Sequence, residues 1–187
     1  SAGESQQLTA QNRILLDSAA RKTSIVEQVT RLAASVKGEA LMPPELLDEV
    51  ANLVEQPFAI LASFEPGFLQ LPREVLISVM KKHQRYFPLQ RDGKLLPHFV
   101  VIRNGDDQGQ DLVRQGNEHV VRARFADADF FVREDLKHSL EYLRPRLTTL
   151  VFQKKLGSML DRSDRIEKLV NTLSPMLALD ADETIFA

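Results

Sequence analysis

The sequence RYFPLQRDGKLLPHFVVIRN, residues 85–104, predicts a β-hairpin at the centre of the fold. Its Asp92-Gly93 pair stands between two apolar runs, and such a pair is a strong hairpin signal because both central residues must adopt positive φ. Pro88 and Pro97 cannot donate to a strand ladder, so the hairpin is expected to be irregular. Asn104-Gly105 then ends the second strand.

Helical periodicity surrounds this hairpin on both sides in the sequence. Apolar residues at three- and four-residue steps predict a helix within 14–36, a second helix after Pro43-Pro44, and a third over 72–82 that ends with Lys81 and Lys82. The short run FAILASF, 58–64, predicts a buried strand. A longer stripe predicts one helix that Pro145 ends, with inward residues Val121, Phe125, Ala128, Val132, Leu136, Leu140 and Leu143.

These elements indicate an α+β fold. We expect a small antiparallel sheet, with its hairpin near 85–103, packed against several helices that cover one face or one end of it. The expected division is a disordered or expression-derived tail at 1–11, a helical segment at 12–56, a central α+β core at 57–157, and a C-terminal helical segment at 158–187. No linker composition separates these regions, which favours one compact unit with a helical extension.

Composition excludes several kinds of protein. The 187 residues contain no cysteine, so disulfides, thiolate metal sites and cysteine nucleophiles are ruled out, and a cytoplasmic location is expected. The 24 basic and 26 acidic residues give a net charge of −2, so binding of a polyanion would depend on a local patch. The longest apolar run, 58–64, is far below the roughly 20 residues of a membrane-spanning helix.

The common catalytic motifs are missing from the sequence. It has no Gly-rich phosphate loop, no G-x-S-x-G turn and no H-E-x-x-H helix. The four histidines, His83, His98, His119 and His138, are far apart, so each is expected to be structural or solvated rather than a metal ligand. Neither a catalytic residue nor a metal site is therefore predicted.

The stretch 81–87 has the chemistry of an RNA-binding surface. Lys81, Lys82 and Arg85 supply positive charge, His83 is the fourth polar side chain of this candidate site, and the ring of Tyr86 supplies a flat surface for a base. The competing interpretation is a helix end whose lysines offset the helix dipole, followed by a strand with an aromatic ring in the core.

Three further cations extend this candidate surface if the hairpin lies beside the long helix: Lys94, Arg122 and Arg124. Arg122 and Arg124 lie about 200° apart around a regular helix, so both cannot face one ligand within it.

Several long blocks of the sequence resemble a known family. They are LPREVLISVMKKHQRYFPL, GKLLPHFVVIRN, GNEHVVRARFADADFFVREDLKHSLE and VFQKKLGSMLDRSDRI. Together they closely resemble the β subunit of the bacterial-type, two-subunit glycyl-tRNA synthetase.

This resemblance implies an interior fragment of a longer β subunit, in a tetramer of two α and two β subunits. In that family the α subunit carries the aminoacylation site with its ATP and Mg²⁺, and the β subunit holds tRNA. The fragment is thus expected to lack a cofactor of its own and to have three partners: the α subunit, the rest of the β subunit and tRNA(Gly). The central core is expected to resemble the B3/B4 fold of phenylalanyl-tRNA synthetase, and an HD-type helical region is expected beyond residue 187.

Two alternatives to RNA binding remain at this point. One is a purely structural or subunit-interaction module without RNA contact. The other is an editing-type hydrolase pocket, which rests on fold analogy alone.

Overall fold

The computed structural model describes residues 14–178, apart from the side chain of His83, and it has the expected α+β class. The expected tail at 1–11 lies outside the described residues. The helices are α1 (Ser18–Ser35), α2 (Pro44–Leu53), α3 (Arg73–Ser78), α4 (Gln110–Asp135), α5 (Leu140–Leu143) and α6 (Met159–Leu173). The strands are β1 (Glu39–Ala40), β2 (Pro57–Ser63), β3 (Phe87–Arg91), β4 (Lys94–Asn104), β5 (Val151–Gln153) and β6 (Gly157–Ser158). Two 3₁₀ helices span Pro66–Gln70 and Arg144–Thr149, and a π-helical turn, Val79–His83, follows α3.

The described chain divides into two compact units, of which the first ends at Val132 and the second begins at Arg133. The first unit contains the four-stranded sheet, and the second contains the small β5–β6 ladder with α6. The domain boundaries expected from the sequence, at 56–57 and 157–158, stay predictions.

The predicted hairpin is confirmed as β3 and β4. Asp92 and Gly93 form its turn with φ of 49° and 75°, which is the positive-φ pair that a two-residue turn of this twist requires. The register shifts between Pro88 and Gln90, so the ladder is irregular next to a proline, as expected. The sheet has the strand order β1-β3-β4-β2, and every neighbouring pair is antiparallel.

The turn gives a direct test of backbone strain. Gly93→Ala should lower the free energy of unfolding by about 1 kcal/mol, because an alanine at positive φ brings its Cβ close to the backbone. No atom lies within 4 Å of the position of that Cβ, so the loss would come from the backbone alone. Gly67→Ala is a matched control, since its added Cβ also meets nothing within 4 Å and its φ is not positive. Urea denaturation should find Gly67→Ala at least as stable as the parent, and equal losses in the two variants would contradict the explanation.

Alternate residues of the hairpin point to opposite faces of the sheet, and helices cover both faces. Phe87 is buried against α1 and α2, whereas its neighbour Tyr86 is buried against α3 and α4. The expectation that helices cover one face or end is therefore wrong, because two apolar faces each need a cover. The first cluster includes Ile25, Val29, Val50, Phe87, Leu89 and Val100, and the second includes Leu76, Met80, Tyr86, Phe99, Val121 and Phe125.

Backbone groups at both edges of the sheet form hydrogen bonds with other parts of the chain. At one edge, β1 pairs only two residues with β3, and Leu41 then donates its N–H to the Pro88 carbonyl. At the other edge, Gln28 of α1 accepts the Ala59 N–H, and Glu118 of α4 accepts the Ser63 N–H, both at 2.9 Å. Side chains from two helices thus bond to backbone groups along β2.

The predicted long helix ends ten residues before Pro145. α4 stops at Asp135, and Leu136 and Leu140, expected to face inward, are 80% and 81% exposed. Ser139 accepts the N–H of Tyr142 and begins α5, so a local N-cap interrupts the helical stripe. Leu53, the last residue of α2, is also largely exposed, at 62%.

Candidate nucleic-acid surface

The structure places Tyr86 in the core rather than on the surface. Its ring is 4% exposed and stacks on Phe99 with centroids 4.8 Å apart, and its hydroxyl donates to Asn117 Oδ1 at 2.5 Å. Burial raises the pKa of Tyr86 to about 12, because the phenolate would lose its hydration. A base cannot stack on a ring enclosed in this way, so the expected role of Tyr86 in base stacking is corrected to one in packing.

Arg85 and Arg122, two of the predicted RNA-binding cations, pair with carboxylates from distant parts of the chain. Arg85, whose φ is 56°, places Nε 2.5 Å from Glu49 Oε1 of α2. Arg122 places Nε 2.5 Å from Glu65 Oε1, and a backbone hydrogen bond at Glu65 together with this guanidinium lowers the pKa of that carboxyl. A phosphate at either arginine would compete with a carboxylate that is already bound.

Lys81 and Lys82 owe their position to the π-helical turn. The turn buries Met80 while α3 buries Leu76, and both side chains belong to the second apolar cluster. With this face inward, Lys82 is exposed and Lys81 is partly exposed. Their place at the end of a helical segment also suits the helix dipole, which is the competing interpretation from the sequence.

Four cations line two neighbouring depressions on the first unit. Arg73, Lys81 and Lys82 line an open depression of about 690 Å³ along α3, and Glu74 is its one acidic lining residue. Arg73 and Lys94 line a second depression of about 380 Å³ beside the hairpin turn. Arg73 lines both depressions. We call Arg73, Lys81, Lys82 and Lys94 the basic surface.

The charges of the basic surface are available to a ligand. Among the described residues, Lys81, Lys82 and Lys94 have no ion-pair partner, and Arg73 Nη2 donates only to the neutral Gln90 Oε1 at 2.7 Å. Sequence reasoning missed Arg73. Its position in the first turn of a predicted helix could have revealed it. A cation there is unfavourable for the helix dipole, so its presence suggests a role other than helix stability.

The remaining predicted cations do not join this group. Arg124 is exposed on α4 and is not among the residues that line the two depressions. The side chain of His83 is outside the described part of the structure. Glu118, four residues before Arg122 on α4, accepts hydrogen bonds from the Ser63 N–H and hydroxyl, whereas Arg122 pairs with Glu65.

A family model described as glycyl-tRNA synthetase beta subunit matches residues 2–185, almost the whole chain. The chain belongs to this family. Three of its relatives are the glycine–tRNA ligase beta subunits of Gloeothece citriformis, Oceanobacillus iheyensis and Clostridioides difficile, which are 46%, 44% and 46% identical. These matches cover 87%, 92% and 92% of this chain and 24%, 25% and 25% of the respective relatives. The chain thus spans about a quarter of the length of the glycyl-tRNA synthetase beta subunits that it matches.

Two features are absent from the part of the chain that the structure describes. Within residues 14–178, no three His, Cys, Asp or Glu side chains are grouped so that they could hold a metal ion. No helix in the same part of the chain is long and apolar enough to cross a membrane.

Proposed function

We propose that this chain is a tRNA-holding part of a glycine–tRNA ligase beta subunit, working in glycyl-tRNA formation. The observation that carries the proposal is the basic surface, where three lysines and one arginine, without a carboxylate partner among residues 14–178, line two depressions that share Arg73. Phosphate groups bind such surfaces by releasing their counterions, without any need for a specific base sequence.

The proposal assigns catalysis elsewhere. Glycine activation with ATP and Mg²⁺ would take place on the α subunit. The proposed partners of this chain are that subunit, tRNA(Gly) and the rest of the β subunit, and the proposed location is the cytoplasm. This chain would contribute charge and shape only. The family assignment supports this division, because the relatives named above are beta subunits of the ligase.

The test is a titration of a glycine tRNA transcript at several salt concentrations. A plot of log affinity against log salt falls with a steepness of about 0.7 to 0.9 for each phosphate contact. Replacing Lys81, Lys82 and Lys94 by glutamate should therefore make this plot less steep by about 2 to 3. The variant should retain its circular dichroism spectrum, since Lys82 and Lys94 are exposed and Lys81 is not part of the apolar clusters.

A second triple variant controls for net charge. Lys154, Lys155 and Lys168 are also exposed and lie outside the basic surface, and their replacement by glutamate changes the charge equally. It should leave the salt slope nearly unchanged. Equal changes in the two triple variants, or none in either, would contradict a defined RNA-binding surface.

An interaction module is the second candidate function, and one observation favours it. Many large apolar side chains between residues 136 and 177 are exposed, and such patches mark surfaces that another surface covers. The editing-type pocket keeps only its fold analogy, and none of the depressions described above supports it.

A further inference from the structure

The second unit has little apolar interior of its own. Among residues 133–178 no apolar side chain is fully buried, and Ser174 is the one buried residue. The first unit, by contrast, contains both apolar clusters. Because burial of apolar surface is the main force that stabilises a fold, the described part of the second unit needs a cover.

One stripe of α6 is the clearest part of this uncovered surface. Ile166, Leu169 and Leu173 are 45%, 59% and 46% exposed. Their steps of three and four residues place them on one face of the helix. Met176 and Leu177, also exposed, follow directly after the helix. We call Ile166, Leu169 and Leu173 the α6 stripe.

Polar contacts hold α6 in place without using the stripe. Ser158 and Asp161 form a reciprocal capping box at its start. Arg144 donates to Asp164 at 2.8 Å and to Glu167 at 2.5 Å, and these acceptors, Glu167 first, raise the pKa of the arginine. The helix is therefore formed and oriented before anything binds to the stripe.

The charges of α6 argue against RNA as the cover. The helix has three acidic and three basic side chains, Asp161, Asp164, Glu167, Arg162, Arg165 and Lys168, so its net charge is zero. A polyanion would gain nothing from such a surface. The cover is instead expected to be apolar protein surface.

We propose that the α6 stripe is a docking surface for the polypeptide that lies outside this quarter of the full-length beta subunit. About three quarters of each matched relative lies beyond the aligned region, which is ample chain to supply an apolar partner surface. A surface within the same chain is present at an effective concentration of about millimolar, so even a weak apolar contact between it and the α6 stripe would form. The inference rests on the family assignment and not on RNA binding. A negative tRNA titration would therefore leave it standing, and its own failure would leave the proposed RNA binding standing.

Hydrogen–deuterium exchange tests this on the full-length beta subunit alone and on the 187-residue chain. The amides of 159–173 should exchange at least about tenfold more slowly in the full-length protein. Leu169→Glu in the full-length protein should abolish this added protection. Asn171→Glu is the matched control, because it adds the same charge to an exposed site of α6 that lies off the stripe, and it should keep the protection.

Each other outcome would overturn the proposal. Protection that develops only after the α subunit is added would make that subunit the cover. Protection that rises with the concentration of the 187-residue chain would indicate a second copy. Equal exchange in both proteins, or equal loss in Leu169→Glu and Asn171→Glu, would show that the rest of the chain does not cover the stripe.

Discussion

Phe99→Ala is expected to lower the free energy of unfolding by about 4 kcal/mol, several times the loss expected for the turn variant Gly93→Ala. Phe99 is fully buried in the second apolar cluster, with its ring 4.8 Å from Tyr86 and 6.4 Å from Phe64. Truncation would remove both aromatic contacts and leave a cavity between β4 and the helices. Urea denaturation followed by circular dichroism measures the loss.

Phe130→Ala is the control for this substitution. The Phe130 ring is 59% exposed, so the same truncation should change stability by no more than about 0.5 kcal/mol. Comparable losses in the two variants would show that the second cluster does not support the fold as described.

The second large effect is a loss of stability at alkaline pH that depends on Tyr86. Burial raises its pKa to about 12 in the folded chain, against about 10 for an unfolded tyrosine. The stabilisation is therefore complete below pH 10 and is lost as the pH rises through 12. Since a pKa difference of one between the folded and unfolded chain corresponds to about 1.4 kcal/mol, the loss approaches about 3 kcal/mol.

Comparing tyrosine variants isolates this effect from other groups that titrate at high pH. Tyr86→Phe should be less stable than the parent near neutral pH, because the hydrogen bond to Asn117 is gone, and its stability should fall less between pH 10 and 12. The chain has two tyrosines, and Tyr142→Phe changes the exposed one, so that variant should follow the parent curve. Identical curves for all three proteins would show that ionisation of the buried Tyr86 hydroxyl does not cause the alkaline loss of stability.

The sequence predicted those parts of the fold that depend on local chemistry. Asp92-Gly93 identified the hairpin, because its positive φ values are a property of the two residues themselves. The presence of β2 followed from an apolar run between prolines, predicted at 58–64 and found at Pro57–Ser63. The end of α4 at Asp135 was not predicted, since a periodic stripe contains no information on whether anything covers it.

The candidate site was only partly predictable, because its distinctions depend on distant residues. The pairs Arg85–Glu49 and Arg122–Glu65 join positions 36 and 57 residues apart, beyond the reach of helical spacing rules. Sequence chemistry could therefore not separate cations with a carboxylate partner from those of the basic surface. The burial of both Tyr86 and Phe87 likewise depended on the second layer of helices.

The edges of the sheet restrict how this protein can associate. The exposed side of a terminal strand ordinarily offers a row of N–H and C=O groups on which a foreign β-strand can grow. Here Gln28 and Glu118 accept N–H groups of the edge strand β2. At the other edge β1 pairs only two residues with β3, and the next residue of β3, Pro88, has no N–H while its carbonyl accepts the Leu41 N–H. Sheet extension, whether by a peptide ligand or in amyloid-like self-assembly, is thus disfavoured, and association should proceed through side-chain surfaces.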